Sequence, residues 1–529
     1  MSSSTKSKFE AWLSNKDVRY MLIILAVAFI IRLYYFIIAS GQTMWWDEAE
    51  YMSAAKHWAL NIPYDLNEQR PPLFQLLGAL LIKFGFGEVA LKFILVLIPS
   101  LTLVVSVYYL GKELYGSTVG LIAATGTAFV WSMLFWSIRF QPDFFSVTFQ
   151  VLALLFFWKM VKSPARINAV YTGLFVAAGF YFKISALLIP LSMVIFALYQ
   201  DGLKIFKQKD YWILLGVFVV AMIPFMIWQA VTFGNPIAFG VTYSGDFNEG
   251  RSPGWMTLDF YYSFSKLPIF ILFIIGLAIT LFKTAITADL ILKDKSLRKD
   301  PYIFSAIVLL VITLFYIFYI RGTIEDRWVF LMIPFIFFFA GKTILIIYDK
   351  IKKHSNLFAI LFMIILLLAF IIPQLSHTTE LVNSKKDSYA PVKEASLLIK
   401  ENSQPQDKIF SVSYTQTTAY AEREVITYSE MPEENFTQIL QKENPRFVIV
   451  SILEPHHPQW MLQQVQNEQG FRGILFPYFN SSIIVSPQNQ IVQYDLKKQV
   501  SQDGAVFSLI YPLDNNFGGL VAYKIDYIT

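Results

Sequence analysis

Cysteine is absent from all 529 residues, which excludes disulfides and thiolate metal sites. Charge is scarce too: 15% of residues, where a soluble domain carries about 25%. The five histidines are scattered, and only His57 lies near a cluster of other chemistry. No internal repeat is found, and so the usual signature of a transporter is missing. What fills the chain is apolar. Hydrophobic residues make up 55%, with 49 Phe, 28 Tyr and 12 Trp. This is the composition of a polytopic membrane protein with a more polar tail. The net charge of +5 is small and calls for no nucleic-acid partner.

Apolar runs of roughly 20 residues predict spans near 20–39, 89–111, 117–137, 143–161, 168–182, 184–200, 211–232, 264–282, 302–320, 328–347 and 357–375, about eleven in all. The first run is long enough to span and is followed by no small-residue cleavage site, so it reads as a retained helix. Lysines and arginines mark alternate loops: Lys6, Lys8, Lys16 and Arg19; Lys159, Lys162 and Arg166; Lys204, Lys207 and Lys209; Lys293, Lys295, Arg298 and Lys299; Lys350, Lys352 and Lys353. The positive-inside rule makes these cytoplasmic. The external side then holds 40–88, 138–142, the turn at 183, 233–263, 321–327 and everything after 376. This predicts a multi-pass protein of the cell membrane with a cytoplasmic N-terminus.

The tail is richer in Gln, Asn, Glu and Ser. Short apolar strands (Lys408–Val412, Arg446–Ile452, Ser482–Val485) alternate with amphipathic stretches (Pro391–Glu401, Glu434–Glu443, Trp460–Glu468). The division expected is a membrane domain over 1–375 and a small extracytoplasmic α/β domain over 376–529.

The candidate chemistry lies on the external side. Trp45-Trp46-Asp47-Glu48-Ala49-Glu50-Tyr51 follows the first span directly, with carboxylates at the membrane edge, where they are costly unless they act. Capping of a helix start is one reading of Asp47 and Glu48. A general base that takes a proton from an acceptor hydroxyl is another. Glu50 falls on a different helix face and is expected to be solvated. Residues 47–60 and 72–84 read as helices in the membrane interface, the first presenting Tyr51, Ala54, Ala55 and Trp58 on one face. Arg70 precedes Pro71-Pro72-Leu73 and reads either as a loop cation or as part of an acceptor site. Arg139 and Asp143 flank a tight turn, as a mutual salt bridge or as a second acidic group of the site. Lys183 is alone in an apolar stretch and must snorkel or pair, a lipid phosphate being one partner. Arg327 follows Glu325 and Asp326 in a charged turn and has the fork to bind phosphate. Arg32 lies inside the first span, needs a partner, and receives no role.

These motifs resemble those of the GT-C membrane glycosyltransferases. The nearest likeness is the branch of the protein O-mannosyltransferases and the lipid A aminoarabinose transferases, glycosyltransferase family 39 in type. It runs along about residues 20–350. Trp46 to Tyr51 is similar to that family's acidic motif, Glu88 to Lys92 to the start of its second span, and Gly111 to Gly116 to its first cytoplasmic turn. Arg139 to Asp143 resembles its second acidic site, Tyr181-Phe182-Lys183 its "TK" position, and Arg327-Trp328 with Pro334 its "RY…P" motif. The chain departs from the pattern at Arg70, where the family has His, and at Trp328, where it has Tyr. No β-trefoil insertion is found.

The resemblance implies a polytopic helical fold with interfacial helices in the first external loop. It implies a sugar donor on polyprenyl or dolichyl phosphate, such as dolichyl phosphate mannose, its tail among the membrane lipids. It implies transfer with inversion to a lipid, glycan or protein hydroxyl. Asp47 would be the base, with Glu48 and Asp143 assisting. Lys183, Arg327 and Arg139 would hold the phosphate, and Arg70 and Tyr51 would serve the acceptor or the structure. The resemblance names no cofactor; a divalent cation at Asp47 and Asp143 is an option that some relatives use. Two other classes remain: a lipid-linked sugar transporter or flippase, against which the nearly uncharged span centres count, and a non-catalytic scaffold, which would tolerate replacement of Asp47.

Overall fold

The computed structural model describes residues 14–528 except 164, 241–250, 288–289, 291–294, 489 and 513–517. Lys6, Lys8 and Lys293 of the charge pattern lie outside the described residues. The chain forms two compact units. One gathers the chain up to Ser40, Asn67–Phe74 and Glu88–Lys385. The other gathers Gly41–Leu66, Gln75–Gly87 and the chain from Lys386 on.

Helices along the chain are α1 (Lys16–Ala39), α2 (Trp46–Leu60), α3 (Leu73–Lys83), α4 (Glu88–Tyr115), α5 (Ser117–Phe129), α6 (Trp131–Trp136), α7 (Asp143–Lys162), α8 (Arg166–Phe182), α9 (Ile184–Lys207), α10 (Lys209–Phe233), α11 (Trp255–Ile286), α12 (Pro301–Ile320), α13 (Met332–His354) and α14 (Asn356–Lys385). Among the described residues, nine of them are long and apolar enough to cross a membrane: α1, α4, α7 and α9 to α14. The predicted spans at 117–137 and 168–182 are shorter. The first is two helices, α5 and α6, and the second is the 17-residue α8. The protein is a multi-pass helical membrane protein with a strand-containing C-terminal domain.

The break between α5 and α6 shows how the interior handles loose backbone. Val130 is extended (φ −57°, ψ 129°), which frees carbonyls behind it and an amide ahead. Arg32, fully buried, donates to Ala128 O at 2.8 Å and Thr127 O at 3.5 Å, with Nε on Ser100 Oγ at 3.0 Å. The cation that lacked a partner in the sequence therefore caps α5. Gln374 Oε1 accepts from Trp131 N at 2.8 Å, and its Nε2 donates to Phe264 O at 2.7 Å, just before α11 kinks at Lys266 and Pro268. One buried amide thus serves two broken helices, as a water-free interior requires. Gln374→Leu orphans both groups, at about 1–3 kcal/mol each. The expected result is a clearly lower melting temperature in detergent; a melt equal to wild type would mean that water or a rearrangement satisfies them.

Close helix contact needs glycine at several places, and Gly111 shows why. A Cβ on Gly111 of α4 would lie 2.8 Å from Gly120 Cα of α5 and 2.7 Å from the Phe338 ring. Small residues let α4 and α5 approach.

In the second unit α2 packs on a tail helix. The tail adds α15 (Ala390–Glu401), α16 (Tyr414–Ala421) and α17 (Glu433–Glu443). Its strands are β1 (Lys408–Ser411), β2 (Glu424–Ile426), β3 (Phe447–Ser451), β4 (Gln463–Gln466), β5 (Arg472–Phe476), β6 (Ser481–Val485), β7 (Ile491–Asp495), β8 (Gln499–Gln502), β9 (Ala505–Tyr511) and β10 (Leu520–Tyr527). A six-stranded sheet runs β2-β1-β3-β10-β9-β8, and an antiparallel sheet runs β4-β5-β6-β7. The three strands read from the sequence are β1, β3 and β6. The amphipathic stretch at 460–468 holds the strand β4: alternation over so short a run suits an exposed edge as well as a helix turn.

Two buried titratable groups of this unit oppose each other. Burial pushes Glu454, which accepts from Ser413 Oγ at 3.3 Å, from 4.5 up to about 7. Burial pushes His457 from 6.5 down to about 4. Glu454 stabilises the fold below its unfolded value and loses that contribution as pH rises through about 7. His457 contributes fully above 6.5 and loses it as pH falls through about 4. The slopes offset over the shared window. Glu454→Gln should leave stability rising with pH up to about 6.5, the His457 slope alone. Hydrogen-exchange protection of β3 in the full-length protein, corrected for intrinsic rates, checks this; an unchanged slope refutes it.

Candidate functional site

Helix ends of the first unit bring three candidate residues together. Asp143 opens α7, Lys183 follows α8, and Arg327 lies in the turn before α13. The Lys183 ammonium donates to Asp143 Oδ1. Arg327 Nη1 stands 3.6 Å from Asp143 Oδ2, too far for a hydrogen bond but close enough for strong attraction. The Asp143 and Arg327 side chains are almost wholly buried, at 2% and 5% exposed. Asp143 gains further from its place at a helix N-terminus. Burial pushes the Lys183 ammonium down, and Asp143 counters this. So Lys183 pairs rather than snorkels, and its partner is 40 positions away.

A narrow cleft opens on this triad, lined also by Gln150, Ser185, Leu188, Tyr316, Trp328 and Leu331. Tyr316 comes from the π-helical turn Phe315–Ile320 that ends α12. Its hydroxyl donates to Trp328 O at 2.8 Å, which fixes the chain beside Arg327. Arg327 also donates through Nε to Glu325, and its guanidinium lies 4.9 Å above the Trp136 ring. Asp326, next in sequence, points elsewhere. Its Oδ2 accepts from Ser132 Oγ and from Trp136 Nε1 at 2.9 Å. Burial pushes its carboxyl up, against the effect of those two hydrogen bonds. Ser132, Trp136, Tyr316 and the partners of Asp326 were not read from the sequence. The only sequence signal was the density of charge at 321–327.

Arg139 is buried, 1% exposed, with its guanidinium 5.2 Å from the Phe135 ring. The ion pairs of Asp143 described above run to Lys183 and Arg327. Arg70 sits in a turn in which Arg70 N donates to Asn67 O at 3.0 Å, and the nearby Phe74 anchors on Phe140 at 4.7 Å.

The acidic segment belongs to the second unit. Glu48 Oε2 accepts from Trp45 N at 2.9 Å in a capping box, so Glu48 fixes the start of α2. Asp47 beside it is partly exposed. Glu50 is buried at 4%, which corrects the expectation that it is solvated: α2 is packed on protein here, and the polar face at Glu50 is covered. Tyr51 is 2% exposed and is a core residue. The face of α2 that carries Ser53 and Lys56 is tied to α16, through Ser53 Oγ to Thr415 O at 2.8 Å and Lys56 Nζ to Glu422 Oε1 at 2.7 Å. Met44 N donates to Tyr420 OH at 2.9 Å, and the Trp46 ring meets Tyr414 edge-on at 5.1 Å. The tail helix thus grips the acid-bearing helix at both ends. Among the described residues, no group of three or more His, Cys, Asp or Glu could hold a metal ion, and Asp47 and Asp143 fall in different units.

A family model described as dolichyl-phosphate-mannose-protein mannosyltransferase matches residues 69–228. No curated protein matches the sequence. Solved structures do match over most of the chain. The oligosaccharyltransferase of Archaeoglobus fulgidus in its apo form is 14% identical with a TM-score of 0.59, over 88% of this chain and 76% of that one. ArnT from Cupriavidus metallidurans bound to undecaprenyl phosphate is 13% identical with a TM-score of 0.60, over 86% of this chain and 97% of that one. The fold is GT-C. In this GT-C chain the triad of Asp143, Lys183 and Arg327 stands at one end of the helical unit, and Asp47 stands at the start of a helix in the other unit. A further match is the archaeal oligosaccharyltransferase AglB with an inhibitory peptide and a dolichol-phosphate, 15% identical with a TM-score of 0.54, over 88% of this chain and 75% of that one.

Proposed function

We propose that this chain is an integral membrane glycosyltransferase that moves a sugar from a polyprenyl- or dolichyl-phosphate donor to an acceptor hydroxyl on the extracytoplasmic side. The observation that carries the reading is the buried pair of cations, Lys183 and Arg327, on the single carboxylate of Asp143. Glu325, which also pairs with Arg327, is half-exposed and does not line the cleft, so the cleft sees two cations and the one lining carboxylate of Asp143, and Arg327 has the planar fork that suits phosphate. An apolar groove of about 540 Å³ between α11 and α12, with Tyr261, Phe273, Leu277, Leu309 and Leu310 among its walls, suits a prenyl tail. Solved relatives of the same fold hold undecaprenyl phosphate and dolichol-phosphate.

The acceptor hydroxyl gives its proton to a carboxylate base, the part that the family resemblance assigns to Asp47. The hydroxyl oxygen attacks the anomeric carbon from the face opposite the phosphate, so configuration inverts. The bond between that carbon and the phosphate oxygen breaks, and the lipid phosphate leaves with the electron pair and one more negative charge. Lys183 and Arg327 meet that developing charge, where fixed cations lower the barrier most. Glu48 holds the helix start that carries the base.

The test reconstitutes the full-length protein in nanodiscs with labelled polyprenyl-phosphate sugars and candidate lipid, glycan and peptide acceptors. The expected result is saturable donor binding, with lipid phosphate released in step with sugar transferred. Failure to bind any polyprenyl phosphate would sink the reading.

A further inference from the structure

One carboxylate at the edge of the cleft is unused by the mechanism. Asp326 is the sequence neighbour of Arg327, and a salt bridge between them would be the simple expectation. Instead two neutral donors, Ser132 Oγ and Trp136 Nε1, converge on Asp326 Oδ2. The same Trp136 turns its ring to Arg327, whose guanidinium carbon lies 4.9 Å from the ring centroid. The indole is thus held at its nitrogen by one residue of the turn and holds the next residue on its face. On the other side Tyr316 pins Trp328 O.

We infer that Trp136, fixed by Asp326 and Ser132, is a positioning residue that aims the Arg327 guanidinium at the donor phosphate. This rests on the phosphate reading of the cleft. A free arginine side chain carries about 2 kcal/mol of rotamer entropy, which it would lose on binding a phosphate. Stacking on an indole pays that cost in advance and leaves the fork of nitrogens open at the edge. The neutral donors on Asp326 serve a second end. They give the acid its hydrogen bonds from neutral groups, so Arg327 spends no N–H on Asp326 and keeps its Nη1 toward Asp143, with Nε on Glu325. Glu325 and Arg327 are the charged groups that face Asp326, and Ser132 and Trp136 are its hydrogen-bond donors.

The test measures undecaprenyl phosphate binding and transfer kinetics for full-length Arg327→Ala, Trp136→Leu, Trp136→Phe and Asp326→Asn, and for Trp136→Leu with Arg327→Ala. Trp136→Leu should weaken lipid-phosphate binding about tenfold, and Trp136→Phe, which keeps a ring but loses the N–H, about threefold. The acceptor KM should not move. Asp326→Asn keeps an oxygen acceptor for both donors and should stay near wild type. The double variant should bind no worse than Arg327→Ala alone, because Trp136 acts only through that arginine. If Arg327→Ala binds like wild type, the phosphate reading falls and this inference with it. If Arg327→Ala is weakened but the Trp136 variants bind like wild type, or their effects add to that of Arg327→Ala, the inference alone is overturned. Should Trp136→Leu fail to fold, the same cycle run with Trp136→Phe decides.

Discussion

Asp47→Asn is expected to lower sugar transfer about 10²- to 10⁴-fold while the protein still folds, binds donor and melts near wild type. The size is that of a lost general base. The fold should survive for reasons visible around α2. Asp47 is partly exposed, and Glu48 on Trp45 N at 2.9 Å fixes the start of the helix. An asparagine in the first turn gives up a favourable charge–dipole interaction, about 0.3–1 kcal/mol, and keeps the size and an oxygen acceptor of the aspartate. The contrast with Glu48→Gln sharpens the test. Glu48 is fully buried and part of the capping box, so its replacement should act first on stability. Transfer rates at saturating donor, with melting curves for both variants, separate the two roles. Transfer by Asp47→Asn within a few-fold of wild type would remove Asp47 as the base and favour a non-catalytic scaffold.

Lys183→Met is expected to cut kcat/KM about 10²- to 10³-fold, the effect of removing one preorganised group that meets developing charge. Stability must fall too. Lys183 is the hydrogen-bonded partner of a carboxylate only 2% exposed, and a buried ion left with a poorer partner costs about 3–5 kcal/mol. Two effects on one variant would confuse the result, and a second substitution resolves them. In Lys183→Met with Asp143→Asn the buried negative charge is gone as well, so the melt should recover much of its loss. Transfer should stay low, because no cation returns. If transfer recovers along with the melt, Lys183 serves the fold and not the phosphate.

Much of the plan could be read along the chain. Apolar run length gave the helices, and charge in alternate loops ordered their ends so that Asp143, Lys183 and Arg327 share one end of the bundle. The acidic segment announced itself by placing Asp47 and Glu48 behind Trp45 and Trp46. The misreadings are instructive. Residues 117–137 look like one span because no proline or glycine marks Val130, where the helix breaks; the break is held by Arg32 and Gln374, far away in sequence. Glu50 looked solvated because a single helix face says nothing of what packs on it. Asp326 read only as one charge of a charged turn because its partners, Ser132 and Trp136, lie 190 or more positions away.

By itself the sequence determined what local spacing determines: a membrane protein, the order of its long apolar helices, a polar tail, and the segments that concentrate acids and cations. Hydropathy and charge act over one or two helix lengths, so a linear reading captures them. The tertiary structure alone decided which charges meet. In a water-free bundle every polar group must find its partner on another helix, and those partners are fixed by packing across the whole chain. That is why Lys183 belongs to Asp143, why Trp136 lies beneath Arg327, and why Arg32, which no local pattern could place, closes the end of a broken helix.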